Sequence, residues 1–216
     1  MATWGRRQTV AKVGSALLAT ALLMISPGSP ALAQKTLHVV ATTGMIADAV
    51  KQVGGDRVQV MALMGPGVDP HTYRQTRSDI VAMTKADAVF WHGLYLEAQL
   101  EDLFKDLAKR RPVVALAERL PKGKLLRNED HPGRYDPHVW MDPRLWKGVV
   151  EAARDQLIRL DPTGEAMFKA NAERHLEEID ALATYADKAF ASVPEASRVL
   201  ITSHDAFNYF GRAYGY

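Results

Sequence analysis

The 216-residue sequence contains no cysteine. Disulfide bonds therefore cannot stabilise the fold, and a lipid anchor on a modified cysteine is not expected. Any metal site must be built from nitrogen and oxygen ligands, because thiolates are missing. Stability must come from apolar packing, for which the composition is adequate, since 47% of the residues are hydrophobic.

The sequence also lacks a strong net charge of either sign. It carries 27 Lys+Arg and 25 Asp+Glu, for a formal charge of +2. Three of the basic residues and none of the acidic ones lie in the first 33 positions, so the remainder has 24 basic and 25 acidic residues, close to −1. No basic block with interleaved aromatic residues occurs. We therefore expect no nucleic-acid partner.

The N-terminus has the pattern of a secretory signal peptide over residues 1–33. A basic segment at 6–12 precedes an apolar stretch at 13–25, which is shorter than the roughly 20 residues that a membrane span requires. Small residues at 31–33 form a cleavage site. We expect export to the periplasm with cleavage after Ala33, and the sequence leaves the general secretory and twin-arginine routes open.

Strand and helix patterns alternate along the rest of the chain. Short apolar runs bounded by turn residues predict strands at 37–41, 58–63, 87–91 and 113–116. Apolar residues at helical spacing predict helices at 45–53, 78–85, 97–110 and 143–160. This alternation is typical of an α/β fold in which helices cover a parallel sheet.

A long helix is predicted from Glu165 to about Ala191, where neither glycine nor proline interrupts the pattern. At 1.5 Å per residue it would be roughly 40 Å long, which suits a rigid connection between two lobes. After it, residues 198–202 predict a strand, and a helical pattern leads to Tyr216. One strand and one helix cannot form a lobe, so we expect the second lobe to be incomplete in this chain. The predicted domains are a first lobe at 34–163, a linking helix at 164–192 and the start of a second lobe at 193–216.

Three histidines on separate loops form the candidate metal site. His71 and His138 each end an Asp-Pro-His triplet, and His204 follows the apolar run at 199–201, with spacings of 67 and 66 residues. Proline restricts the backbone before it and helps to aim the imidazole, and loops after strands are where open α/β sheets bind ligands. Three nitrogen ligands could therefore meet at one ion. On local sequence alone, exposed turn histidines remain the alternative.

Enzyme chemistry has little support. Ser203, His204 and Asp205 are adjacent, and neighbours in an extended segment point to opposite faces, so they cannot form a hydrolase triad. The sequence has neither a Gly-x-Ser-x-Gly nor a His-Glu-x-x-His motif. A metal-dependent hydrolase with an open zinc position stays an alternative, although no motif supplies its general base. A metal-independent interaction module is a third interpretation.

The other four histidines fit less well as ligands. His38 lies in the first predicted strand, where we expect it to be half-exposed. His92 follows a strand end and could face the cleft beside the ligands, while His131 lies in a polar loop. His175 falls on the charged face of the long helix, where we expect it to be solvated.

Four segments in combination resemble the zinc/manganese solute-binding proteins of bacterial ABC importers. They are Gly54–Val58, Gly67–Tyr73, Asp136–Pro143 and Thr202–Phe207. The segment from Gly93 to Glu97 is similar to that family too, but His92 stands where an asparagine is expected. The resemblance extends from about Leu37 to the end of the chain.

The resemblance implies two α/β lobes joined by one rigid helix, with a metal ion between them. It implies His71 and His138 as ligands from the first lobe, His204 as a ligand from the second, and a fourth, carboxylate ligand beyond Tyr216. The implied protein is a monomer that captures Zn(II) or Mn(II) as cargo and delivers it to an ABC-type membrane permease. Three imidazoles and a carboxylate favour zinc, with manganese second.

Overall fold

A computed structural model describes residues 1–3, 5, 36–129 and 131–216. The predicted signal peptide, apart from 1–3 and 5, and its cleavage site lie outside the described residues. The chain divides into two units, Met1–Ala33 and Gln34–Tyr216, and the helices and strands of the described residues all belong to the second unit. Within the described residues, no helix is both long and apolar enough to cross a membrane.

A parallel sheet forms the centre of the fold. Its strands in the described residues are β1 (Leu37–Ala41), β2 (Val58–Ala62), β3 (Ala88–Trp91) and β4 (Val113–Ala115). They are ordered β2-β1-β3-β4, and every neighbouring pair is parallel. The chain leaves β1 toward one side of the sheet and β3 toward the other. The carboxyl ends of β1 and β3 therefore flank a topological switch point, where open α/β sheets bind ligands.

Helices occupy most of the remaining chain. Those of the described residues are α1 (Gly44–Gly54), α2 (Arg77–Lys85), α3 (Glu101–Ala108), α4 (Pro143–Leu160), α5 (Glu165–Ala191) and α6 (Asn208–Tyr214). Their starts follow capping rules, since Asp142 accepts the Arg144 N–H and Pro143 takes the first position of α4. The helix predicted from Glu97 begins later, because that residue has a non-helical backbone and a 3-10 turn, Ala98–Leu100, comes first.

Both faces of the sheet are buried, as expected for a parallel sheet. Val39 and Phe90 point to one face, where they join the core formed with α1, α4 and α5. Val40 and Val89 point to the other face, where Phe104 of α3 is 2% exposed. The predicted α/β class, with a parallel sheet covered by helices, is confirmed.

The long helix α5 runs unbroken for 27 residues, as predicted. Its first half packs against α1 and α4 through buried Phe168 and Ile179. Asn171 Nδ2 donates to the Val53 carbonyl at 3.0 Å. The ring of Phe190, near the far end, lies 4.8 Å from that of Phe210 in α6. The helix therefore joins the sheet core at one end to α6 at the other.

The prediction of a strand at 198–202 is wrong, because this segment is irregular. Val199 and Ile201 are 72% and 91% exposed. A strand needs a neighbour for its backbone N–H and C=O groups, and the described strands all pair with one another in the sheet. The alternating apolar residues of this segment suit a strand, but among the described residues no strand pairs with it.

Candidate metal centre

The three predicted histidines converge from three separate segments. His71 lies between β2 and α2, His138 precedes the 3-10 turn that leads into α4, and His204 lies between α5 and α6. Their candidate ligand atoms all lie within 4.8 Å of one another. The structure therefore brings all three residues together, although 67 and 66 positions separate them along the chain.

The spacing of the ring nitrogens suits a small tetrahedral ion. Nε2 of His138 lies 3.3 Å from Nε2 of His71 and 3.1 Å from Nε2 of His204. Tetrahedral zinc with Zn–N bonds of about 2.05 Å holds its nitrogen ligands roughly 3.3 Å apart. The rings are inclined to one another by 54–78° and do not stack face to face.

His138 is fixed by the aspartate of its own triplet. Asp136 Oδ1 accepts the His138 backbone N–H at 2.9 Å and lies 2.7 Å from ring Nδ1. Burial alone would raise the pKa of Asp136, but the hydrogen bonds from the His138 ring and backbone outweigh it and lower the pKa. The ionised carboxylate therefore holds a proton on Nδ1, which leaves the Nε2 lone pair directed at the centre.

His71 has a different kind of support. Asp69 Oδ1 accepts the His71 backbone N–H at 2.9 Å, and Oδ2 accepts the Thr72 hydroxyl at 3.0 Å. In both triplets the aspartate accepts the backbone N–H of the histidine two positions later. Asp136 also bonds the ring of its histidine, whereas the second oxygen of Asp69 bonds Thr72. Burial, and then repulsion between the protonated forms of the His71 and His138 rings, lower the pKa of His71, which favours the neutral imidazole that can bind a metal.

His204 is the most exposed of the three. Its carbonyl accepts the Thr202 hydroxyl at 2.8 Å and the Ala206 N–H at 2.9 Å, which closes a tight turn. Helix α6, which follows directly, contacts the loop of His138. Asn208 Nδ2 donates to Asp136 Oδ2 at 3.2 Å. This bond connects the segment of His204 to the carboxylate that orients His138.

Tyr209 makes a second connection between α6 and the same loop. Its hydroxyl donates to the Asp136 carbonyl at 2.9 Å and accepts the Leu126 N–H at 3.0 Å. The side chain is fully buried, and burial raises its pKa to about 12. The hydroxyl therefore stays protonated and remains a donor at physiological pH.

The three histidines face an open cavity of about 410 Å³. Glu129 and Asp205 also line it. Neither carboxylate belongs to the close group, which within the described residues consists of the three histidines alone. The cavity gives an ion in solution access to the nitrogens.

The other four histidines lie outside this group. His92 is fully buried behind the site, where its Nε2 lies 2.7 Å from the Pro137 carbonyl. His38 is exposed, and His131 is an exposed residue on the cavity wall. His175 is less solvated than predicted, since its side chain is 14% exposed and lies 3.2 Å from Glu178.

Sequence reasoning missed the residues that support the histidines. The two Asp-Pro-His triplets did offer a signal for Asp136, because an aspartate two positions before a histidine can bond its backbone N–H. No local signal marks Asn208 and Tyr209. They reach the loop from 72 and 73 positions away, through a contact that only the tertiary fold creates.

Residues 39–216 match the family of zinc-uptake complex component A, ZnuA, a periplasmic protein. The manganese-binding lipoprotein MntA of Bacillus subtilis is 40% identical over 185 residues, which cover 85% of this chain and 60% of that protein. The zinc-binding protein TroA of Treponema pallidum is 41% identical over 178 residues, which cover 82% of this chain and 57% of that protein.

Solved structures give the same result. The periplasmic zinc-binding protein TroA from Treponema pallidum superimposes with a TM-score of 0.81 at 40% identity, over 84% of this chain and 65% of that one. Fe(III)-bound YtgA from Chlamydia trachomatis gives a TM-score of 0.75 at 36% identity, over 83% and 62%. The chain thus spans about 60% of the length of the relatives it matches. By sequence and by fold, it belongs to the ZnuA family.

Proposed function

We propose that this chain captures Zn(II) or Mn(II) outside the cytoplasm through His71, His138 and His204, and delivers the ion to an ABC-type membrane permease. The observation that carries the proposal is the convergence of three Nε2 atoms at a spacing suited to one small ion. The names of the relatives agree, since they include a manganese-binding lipoprotein and a zinc-binding protein.

The donor set favours zinc. Three neutral imidazoles are ligands of intermediate softness, and the order of stability for a given nitrogen site favours zinc over manganese. Relatives are named for binding zinc, manganese and, in one structure, Fe(III). We therefore propose zinc as the preferred cargo and manganese as the second.

The proposed role is binding and delivery without catalysis. A metal-dependent hydrolase gains no support from the relatives, whose names describe metal binding. We also propose that the protein acts as a monomer in the periplasm after cleavage at Ala33. The division into a first lobe at 34–163, a linking helix at 164–192 and a second lobe from 193 remains a prediction.

Calorimetric titration of the purified chain with zinc and with manganese tests the proposal. We expect one ion per chain, with tighter binding of zinc, and a large loss of affinity in His71→Ala and His138→Ala. His38→Ala is the matched control, because His38 is an exposed histidine of β1 that lies outside the close group. Equal affinity in the wild type and both site variants would rule out this site.

A further inference from the structure

A buried histidine lies directly behind the candidate metal centre. His92 follows β3 and is fully buried. Its Nε2 lies 2.7 Å from the Pro137 carbonyl. A carbonyl oxygen can only accept, so Nε2 carries the proton and donates. Pro137 sits between Asp136 and His138, so this bond holds the peptide that joins a proposed ligand to its orienting carboxylate.

His92 is itself held in place by a buried carboxylate. Glu97 is fully buried, and its Oε1 accepts the His92 backbone N–H at 2.8 Å and the Thr42 hydroxyl at 2.6 Å. Its Oε2 accepts the Gly93 N–H at 3.1 Å. Thr42 follows β1 and His92 follows β3, so one side chain connects the carboxyl ends of the two strands that flank the switch point.

The turn after His92 has an unusual backbone. Gly93, Leu94 and Tyr95 all have positive φ, at 89°, 55° and 72°. Two successive non-glycine residues in this region are uncommon, and each is unfavourable unless the surrounding structure holds it. Glu97 holds the start of this turn through the N–H groups of His92 and Gly93. A strained turn therefore follows His92 directly, at the point where the His92 side chain contacts the loop of His138.

The imidazole of His92 packs among aromatic rings. Its ring is nearly perpendicular to that of Trp140, at 5.3 Å, and nearly parallel to that of Trp146, at 6.1 Å. Nδ1 is buried and finds no hydrogen-bond partner among the described residues. Apolar packing alone would not require a histidine at this position, so the Nε2 donor is the chemical feature that distinguishes it.

We propose that His92 is a positioning residue for metal binding, which fixes the Pro137 carbonyl and thereby the direction of the His138 imidazole. The inference rests on the proposed function. Groups that hydrogen-bond the ring of a metal ligand typically change metal affinity 10–100-fold when they are removed, and His92 acts through one intervening peptide, so its removal should have an effect at the lower end of that range. The Pro137 carbonyl also accepts the Val139 N–H at 2.8 Å, so loss of His92 would loosen the peptide without leaving that oxygen unpaired.

Two variants of equal side-chain length separate positioning from packing. His92→Gln keeps an N–H donor close to the position of Nε2, whereas His92→Met has the same length and no donor. Methionine adapts to irregular core space. Zinc affinity of the full chain would be measured by competition with a chromophoric chelator, together with the thermal midpoint of the metal-free protein. Val53→Ala is the control for general destabilisation, because Val53 is a buried residue at the far end of α1.

We expect zinc affinity to fall roughly tenfold in His92→Met and to recover in His92→Gln. Val53→Ala should lower the thermal midpoint and leave the affinity unchanged. Equal zinc affinity in the methionine and glutamine variants would overturn the inference. So would a methionine variant that is unfolded without metal while the glutamine variant is folded, because His92 would then serve only the fold. Failure of the wild type to bind either zinc or manganese would instead refute the proposed function.

Discussion

Replacement of Asp136 by asparagine would test how much of the metal affinity depends on the orientation of one ring. Asp136 is 3% exposed, and its carboxylate contacts the His138 backbone N–H, the His138 Nδ1 and Asn208. Asp136→Asn keeps the size of the side chain and removes its charge. The new amide NH₂ group would replace one of the two carboxylate oxygens. It would face either the NH₂ group of Asn208 or the Nδ1 of His138, each of which now bonds to an oxygen.

The expected loss follows from these contacts. A hydrogen bond to a charged group contributes about 1.5–3 kcal/mol and a neutral one about 0.5–1.5 kcal/mol, so the bond to Nδ1 should weaken by about 1–1.5 kcal/mol. That corresponds to roughly a tenfold loss of zinc affinity, the lower end of the range for groups that orient a metal-bound histidine. The metal-free protein should also lose stability, because two further contacts to the carboxylate weaken.

Asp69→Asn provides the matched control. Asp69 occupies the same place in the other triplet and accepts the His71 backbone N–H, but its second oxygen bonds Thr72. Its replacement should therefore lower zinc affinity much less. Chelator competition at about pH 7.5, above the ordinary pKa of histidine, would measure both variants. An equal loss of affinity in Asp136→Asn and Asp69→Asn would refute the argument that the carboxylate of Asp136 orients the ring.

Three further outcomes are expected. Burial lowers the pKa of His71 below its ordinary 6.5, and only neutral imidazole binds metal. Protonation of His71 should therefore weaken zinc binding only below about pH 6.5, and an NMR titration in which His71 gains its proton above pH 7 would contradict this. Tyr209→Phe leaves the Leu126 N–H without its partner and removes the donor to the Asp136 carbonyl. The free energy of unfolding, measured with denaturant, should therefore fall by about 1–3 kcal/mol, and an unchanged unfolding midpoint would contradict this prediction. Ile201→Lys alters a side chain that is 91% exposed, so the free energy of unfolding should change by less than about 0.5 kcal/mol.

The strands and helices were predictable because their apolar patterns match the environment that the fold provides. Val39 and Val40 point to opposite faces of a sheet that is buried on both sides, so the consecutive apolar residues at 39–41 indicate the buried position of β1 correctly. The same reasoning failed at 198–202. An apolar alternation identifies side chains that would suit a sheet, but a strand also requires a neighbour for its backbone, and local sequence carries no information about that neighbour.

The three histidines could be selected from the sequence because repeated triplets and the family resemblance marked them. Their supporting groups could not. In the sequence, Glu97 looks like an ordinary charged residue at the start of a predicted helix. Only the fold shows that its carboxylate accepts the hydroxyl of Thr42, 55 positions away. Tyr209 likewise lies in a short aromatic segment, and its hydroxyl bonds Asp136 and Leu126, which lie 73 and 83 positions earlier. Such buried polar contacts depend on tertiary packing, which sequence periodicity does not describe.

The unequal burial of the three histidines gives the site an order. His138 is buried, His71 is intermediate and His204 is exposed. A hydrated cation approaching through the cavity would therefore meet the exposed outer imidazole before the buried inner one. It could exchange its bound waters one at a time, with each nitrogen replacing a water before the next is lost. Release would follow the reverse sequence, with the exposed imidazole of His204 as the last contact of the departing ion.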